Sequence, residues 1–100
     1  MTTFLAELYL SRAGSGELRG AALRARSAAE TMTREGTPIR YVRAMFLADE
    51  ETCFHVYEAG SRELVEEASR RAGIPVERVI EALDVDISMG ATASFPPKED

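Results

Sequence analysis

Residues 39–58 read IRYVRAMFLADEETCFHVYE and contain the only cysteine and the only histidine of the 100-residue chain. Two runs rich in Val, Ile, Phe and Tyr flank Asp49 and Glu50, which is the pattern of two strands joined by a tight turn. We therefore predict a β-hairpin over this stretch, with the acidic pair at its tip.

Side chains alternate between the two faces of a strand, so the predicted hairpin has two different surfaces. The apolar residues of one set are assigned to a core face: Val42, Ala44, Phe46, Phe54 and Val56. The opposite face then carries seven residues of mixed character: Tyr41, Arg43, Met45, Leu47, Cys53, His55 and Tyr57. Because this second face is also partly apolar, we expect helices on the first face and another partner on the second.

Composition and charge narrow the classes of function. A length of 100 residues suits one domain with one core. A net charge of −5 argues against the basic surface that nucleic-acid binding relies on, so we expect no nucleic-acid partner. A single cysteine cannot form a disulfide within the chain, which indicates a reducing, cytoplasmic setting. The chain has no long apolar run and no signal-like N-terminus, so we expect no membrane association.

Periodicity and turn residues predict the elements outside the hairpin. They are a strand at 4–10, a helix at 17–35 stopped by Gly36, a helix at 62–72 capped by Ser61 and closed by Gly73, and a strand at 78–85. An alternative for the last segment is that residues 79–83 prolong a helical turn. We expect residues 1–85 to form one domain and residues 86–100 to form a mobile tail.

The predicted order β-α-β-β-α-β is that of a ferredoxin-like α+β sandwich, with a four-stranded antiparallel sheet and two helices on one face. The open face then receives Leu5, Glu7 and Tyr9 in addition to the mixed face of the hairpin. Burying one aromatic side chain contributes roughly 1.5 to 3 kcal/mol, so this face favours pairing with a second copy. We therefore predict a homodimer of the dimeric α+β barrel type, with a cavity between or beside the sheets.

Three segments together resemble a known family. They are IRYVR at 39–43, CFHVYEA at 53–59 and RRAGIPVERV at 70–79. The combination resembles a family of small bacterial ferredoxin-like proteins of unknown function that includes a nickel-binding member. The resemblance covers roughly residues 4 to 83, and it implies a dimeric α+β fold and nickel binding.

Cys53 and His55 form a candidate metal site together with Glu7. Residues two apart on a strand project to the same side with Cα atoms about 6.5 Å apart, and Glu7 is expected on the same face of an adjacent strand. Nickel accepts imidazole together with thiolate or carboxylate. We predict that His55, Glu7 and Cys53 bind nickel or another divalent transition metal, and that the protein uses no organic cofactor.

An alternative is a cofactor-independent enzyme, a monooxygenase, cyclase or isomerase acting on a small aromatic or polyketide-like substrate. Such chemistry needs a general base and an oxyanion donor in an apolar pocket. His55 is the candidate base, Arg43 or a tyrosine the oxyanion donor, and Glu7 the group that orients the imidazole. The candidate ligand-binding residues on this face are Tyr9, Tyr41, Met45 and Tyr57. A third possibility is a sensor that binds a small ligand without reaction.

Overall fold

The computed structural model describes residues 1–85 and Ile87. Within them the elements are β1 (Thr2–Tyr9), a 3-10 helix (Arg12–Glu17), α1 (Leu18–Arg34), β2 (Ile39–Leu47), β3 (Thr52–Ala59), α2 (Arg62–Arg71) and β4 (Arg78–Ala82). The strands form one antiparallel sheet in the spatial order β2-β3-β1-β4. This order, with two helices as crossovers, is the ferredoxin-like α+β fold, so the predicted fold class is confirmed.

Both helices pack on the same face of the sheet through short apolar stripes. In α1 the buried residues Ala25, Ala29 and Met32 recur at helical spacing. In α2 the corresponding stripe contains Val65 and Ala68. These side chains join residues from every strand in one hydrophobic cluster. The small alanine side chains let the helices lie close to the sheet.

Both helices end at a glycine with a positive φ angle. Gly36 follows α1 with φ 104°, and the N–H of Thr37 donates to the carbonyl of Met32 at 2.9 Å. Gly73, with φ 71°, closes α2 in the same manner. Glycine is the preferred residue at such a helix C-terminus, because a residue with a Cβ atom would clash with the backbone at a positive φ angle. The predicted ends of both helices are confirmed.

The hairpin register differs from the one on which the predicted faces were based. Leu47 pairs with Thr52, so the loop between them, 48–51, has four residues. Because this number is even, even-numbered residues of β2 share a face with odd-numbered residues of β3. Ala44 accordingly pairs with His55. The even-numbered residues of both strands would lie on one face only if the loop had an odd number of residues.

A β-bulge in β2 changes the direction of one further side chain. Tyr41 pairs with Tyr57, whereas Arg43 pairs with Val56, so Val42 is an extra residue between two registered pairs. The bulge turns Tyr41 toward the helices, while Arg43 faces the opposite side. The predicted position of Tyr41 on the open face is therefore wrong.

The same register overturns the predicted faces of β3. Cys53, His55 and Tyr57 pair with Leu8, Ala6 and Phe4 of β1, all of which face the helices. Placing these three residues on the open face was wrong, as was placing Phe54 and Val56 on the core face. The open face instead carries Leu5, Glu7, Arg43, Met45, Leu47, Phe54 and Val56. The predicted fold is correct, but the two predicted faces of β3 are exchanged.

The remaining predictions concern element boundaries. β4 is a strand, as first predicted rather than the helical alternative, and it ends at Ala82. Residues 12–17, which precede α1, form a 3-10 helix, and Ser11 caps it by accepting from the N–H of Gly14 at 3.1 Å. The predicted tail 86–100 lies outside the described residues apart from Ile87. Within the described part of the chain, no helix has both the length and the apolar character needed to cross a bilayer.

Candidate functional site

A cavity of about 270 Å³ opens between the sheet, the start of α1 and the loop that follows α2. Its walls are mainly apolar, formed by Leu8, Leu10, Leu18, Ala21, Ile74 and Pro75. Cys53 and His55 lie at its buried base, and the exposed side chains of Glu17 and Arg24 lie at its rim. A larger surface depression of about 570 Å³ runs between α2 and β4, but neither Cys53 nor His55 lines it. Apolar walls around a few polar groups are typical of a ligand site.

His55 is held inside the protein as a neutral imidazole. Its side chain is 1% exposed, and a hydrogen bond of 2.8 Å joins its Nδ1 to the hydroxyl of Tyr41. Burial, helped by the positive charge of Arg24, lowers the pKa of His55 to about 4. Desolvation disfavours the charged form of a buried base, so the ring is uncharged at neutral pH.

Cys53 faces the other nitrogen of the same ring. Its Sγ lies 3.7 Å from Nε2 of His55, because the two residues are two apart on β3 and project to one side. The cysteine is free and fully buried. Burial raises the pKa of its thiol, so the group is protonated at neutral pH in the absence of a cation.

Two tyrosines lie beside the imidazole on the helix-facing side. Tyr41 packs edge-on against Tyr57 with ring centroids 5.2 Å apart. Burial raises the pKa of both hydroxyls, so both remain protonated at neutral pH. The Tyr57 hydroxyl and the Ser69 hydroxyl are buried without a hydrogen-bond partner in the described structure. Of these groups, only Tyr41 touches His55 through a hydrogen bond.

The predicted site residues are divided between the two faces of the sheet. His55, Cys53, Tyr41 and Tyr57 come together under the helices. Tyr9 lines the same cavity, although it is 59% exposed and its hydroxyl donates to Glu51 at 3.3 Å. Glu7, Arg43 and Met45 lie on the open face. Glu7 accepts from Nε of Arg78 at 2.5 Å. The predicted trio of His55, Cys53 and Glu7 is therefore not assembled, because β1 alternation and the hairpin register send Glu7 to the opposite side.

Arg24 also belongs to this site, although it was not among the predicted site residues. It lines the cavity, and its Nε donates to the carbonyl of Ala72 at 2.9 Å. A signal was present, since position 24 lies three residues after Ala21 and one before the buried Ala25, at the edge of the apolar stripe of α1. A charged residue at the edge of an apolar stripe lies at the boundary between the helix–sheet contact and solvent.

Fold and site together define a class: a ferredoxin-like α+β protein with a buried His–Cys pair at the base of a cavity. The chain belongs to the family described as Nickel responsive protein SCO4226-like, whose model matches residues 10–82. The matched segment contains His55, Cys53, Tyr41 and Arg24. No curated protein and no solved structure matches the chain. The predicted resemblance to a family with a nickel-associated member is confirmed.

Proposed function

We propose that this protein binds nickel through Nε2 of His55 and Sγ of Cys53 at the base of the cavity. The observation that carries the proposal is the 3.7 Å between these two atoms, which belong to the only histidine and the only cysteine of the chain. The description of the family as nickel responsive supports the choice of metal. In this proposal, the response to nickel named in the family description begins with direct binding of the ion to this site.

The donor atoms and their spacing suit one transition-metal ion. Nickel accepts both imidazole and thiolate, and its preferred square-planar or tetragonal geometry places neighbouring donors about 90° apart. Bonds of about 2.0 Å to nitrogen and about 2.3 Å to sulfur then separate the two donors by about 3.0 Å. The distance between Nε2 and Sγ is 3.7 Å, so binding of one ion requires a small shift of the Cys53 or His55 side chain.

Protonation favours the imidazole as the first donor. Coordination through Nε2 requires the tautomer with its proton on Nδ1, in which Nδ1–H donates to the Tyr41 oxygen and Nε2 has a free lone pair on the side of Cys53. The hydrogen bond to Tyr41 then holds the orientation of the ring. Cys53 must lose its proton when the metal binds, because burial raises the pKa of the thiol. Nickel affinity should therefore rise with pH, and binding should release a proton.

Two protein donors do not fill the coordination sphere of a nickel ion. Among the described residues, no group of three or more His, Cys, Asp or Glu side chains is placed to hold a metal. The cavity beside His55 and Cys53 has room for further donors from water or from a bound molecule. Open positions of this kind differ from the closed ligand sets of structural metal sites.

The proposal also implies a reducing compartment. Cys53 is free, and only its thiolate form coordinates a metal. Oxidation would remove one of the two protein donors. We therefore propose a cytoplasmic location, where thiols are kept reduced.

Calorimetric titration of tag-free protein with nickel tests the proposal. We expect one ion per chain, with a heat of binding that depends on the ionisation enthalpy of the buffer because a proton leaves Cys53. Absence of saturable binding at neutral pH under reducing conditions would contradict it.

The enzymatic alternative has weaker support. A general base works best when its pKa lies near the working pH, whereas the pKa of His55 is lowered to about 4. Arg43 and Glu7, the proposed oxyanion donor and orienting group, lie across the sheet from the imidazole. The cavity is the one observation in favour of a substrate, and it serves a metal ligand equally well.

We also propose that the protein is a homodimer formed through the open face of the sheet. This face carries an apolar group in which Met45 and Leu47 are 38% and 42% exposed. Ion pairs flank it, with Arg40 to Glu58 at 3.0 Å on one side and Arg78 to Glu7 on the other. Each pair neutralises its own charge, so Arg43 is the charged residue of this face that no described ion pair neutralises. A second copy suits a surface that the chain's own helices do not cover.

Substituting Glu for Met45 should dissociate this dimer. The variant places like charges on two apposed sheets, which costs several kcal/mol and should weaken association by about 100-fold. Sedimentation velocity over a range of concentrations measures the effect. Leu23→Glu is the matched control, because Leu23 is 45% exposed on α1 and should leave association unchanged. A monomeric wild-type protein, or equal effects of both variants, would contradict the proposal.

A further inference from the structure

The rim of the cavity carries a positive charge that the described acidic side chains do not neutralise. Arg24 takes part in none of the salt bridges among the described residues. One of its N–H groups, at Nε, is occupied by the carbonyl of Ala72. The guanidinium carries five N–H groups in a planar fork, so the remaining four are available to an anion. Anchored in this manner, Arg24 is a ready carboxylate receptor.

The walls and volume of the cavity define the size of its occupant. Its volume of about 270 Å³ is below that of sites for drug-sized ligands, which begin near roughly 300 Å³. The apolar side chains between rim and base contact the body of a small molecule better than they contact water. Glu17 at the same rim disfavours a ligand with several negative charges. A small molecule with one carboxylate fits these constraints.

The base of the cavity supplies the second constraint. The His55 and Cys53 pair leaves coordination positions of a bound nickel ion open toward the cavity, since the described residues offer no third acidic, His or Cys donor there. A molecule that fills these positions must carry its own nitrogen or oxygen donors. Arg24 lines the same cavity as His55 and Cys53, so a molecule bound at the base extends toward the guanidinium at the rim.

We propose that the site takes nickel as a complex with a small organic chelator of the amino-acid type, whose carboxylate is bound by Arg24. The inference rests on the proposed nickel site and names the partner that completes it. The chelator supplies the donors that the chain lacks, and Arg24 selects for its carboxylate by a charge-assisted hydrogen bond. Nickel and chelator are then recognised together.

Native mass spectrometry with matched probes tests the inference. The probes are nickel alone, nickel with L-histidine, and nickel with histamine, which is histidine without the carboxylate. We expect a complex of protein, nickel and histidine in equal numbers, with an apparent affinity at least about tenfold above that for nickel–histamine. In Arg24→Gln this ratio should fall by at least about tenfold. The ratio is compared, rather than the affinity for nickel alone, because Arg24 lines the site and its charge acts on His55. Histidine without nickel should bind much more weakly than with it.

Two further variants separate charge from structure. Arg19→Gln removes an exposed arginine of α1 that does not line the cavity, and it should keep the wild-type ratio. Arg24→Lys keeps the charge without the fork, and it should retain part of the preference if Arg24→Gln proves poorly folded. Equal affinity for the two nickel complexes in wild-type protein would overturn the chelate inference while leaving the nickel site intact. Absence of binding with all three probes would instead overturn the proposed nickel site itself.

Discussion

Replacement of His55 by Phe should abolish stoichiometric nickel binding. The substitution keeps an aromatic ring in a buried position but removes Nε2, one of the two protein donors 3.7 Å apart. Cys53→Ser, which is close in size to the native residue, should weaken binding strongly because a hydroxyl is a poor replacement for a thiolate toward nickel. Calorimetric titration of both variants, with folding checked by circular dichroism, measures the loss.

Glu7→Gln is the informative control for this result. Sequence periodicity grouped Glu7 with His55 and Cys53, but Glu7 lies on the opposite face and pairs with Arg78. Its substitution should leave nickel affinity within about twofold of wild type, since exposed ion pairs contribute little. Loss of nickel binding in Glu7→Gln with retention in His55→Phe would place the metal on the open face and contradict the proposed site.

Acidification should destabilise the metal-free protein through His55. The pKa of its imidazole is lowered from 6.5 to about 4 by burial, so between these values the unfolded chain binds a proton that the folded chain does not. Stability therefore rises with pH in this window and is lost as pH falls. The expected loss between pH 7 and pH 5 is about 2 kcal/mol, approaching about 3 kcal/mol at pH 4. Urea denaturation in the presence of a chelator measures it.

The variant His55→Phe isolates this contribution. Other groups also respond to acid, among them Glu58, whose pKa is lowered by its hydrogen bond to Arg40. These groups are the same in both proteins, so the difference in pH dependence between wild type and variant belongs to His55. Equal slopes of unfolding free energy against pH in the two proteins would show that the pKa of His55 is the same in the folded and unfolded chains, which would contradict the lowered pKa of the buried imidazole.

Most of the fold could be predicted because its signals are local. Helical spacing in α1 and α2, the glycines that end them and the alternation in β1 each depend on neighbouring residues. Together they determine the order of elements and hence the ferredoxin-like arrangement. The antiparallel sheet follows from the same order, because right-handed crossovers leave few topologies open.

The orientation of β3 could not be predicted from apolar character alone. Phe54 and Val56 are more hydrophobic than their neighbours Cys53 and His55, yet the register sends the latter pair to the interior. The four-residue loop determines which face the odd-numbered residues of β3 occupy. The pattern of polar and apolar residues in the strands does not directly give the length of the loop. The acidic tip contained the necessary information, because a loop with an even number of residues requires His55 to share a face with Ala44.

The bulge and the cavity depended on tertiary structure. Val42 interrupts the pairing of β2 without any glycine or proline to mark it. Its effect is to bring the Tyr41 hydroxyl to His55. Arg24 reaches the cavity through the packing of α1 on the sheet, which the pattern of one helix does not contain. The chemistry-bearing residues were thus identified in part from sequence, but the side of the sheet on which they meet was not.

X-ray absorption at the nickel K-edge, on protein loaded with one equivalent of nickel, tests most directly whether the buried pair holds the metal. We predict one sulfur scatterer and at least one imidazole in the first coordination shell, with the sulfur lost in Cys53→Ser. A shell of oxygen and nitrogen alone in wild-type protein, unchanged in Cys53→Ser, would contradict coordination by Cys53 and His55.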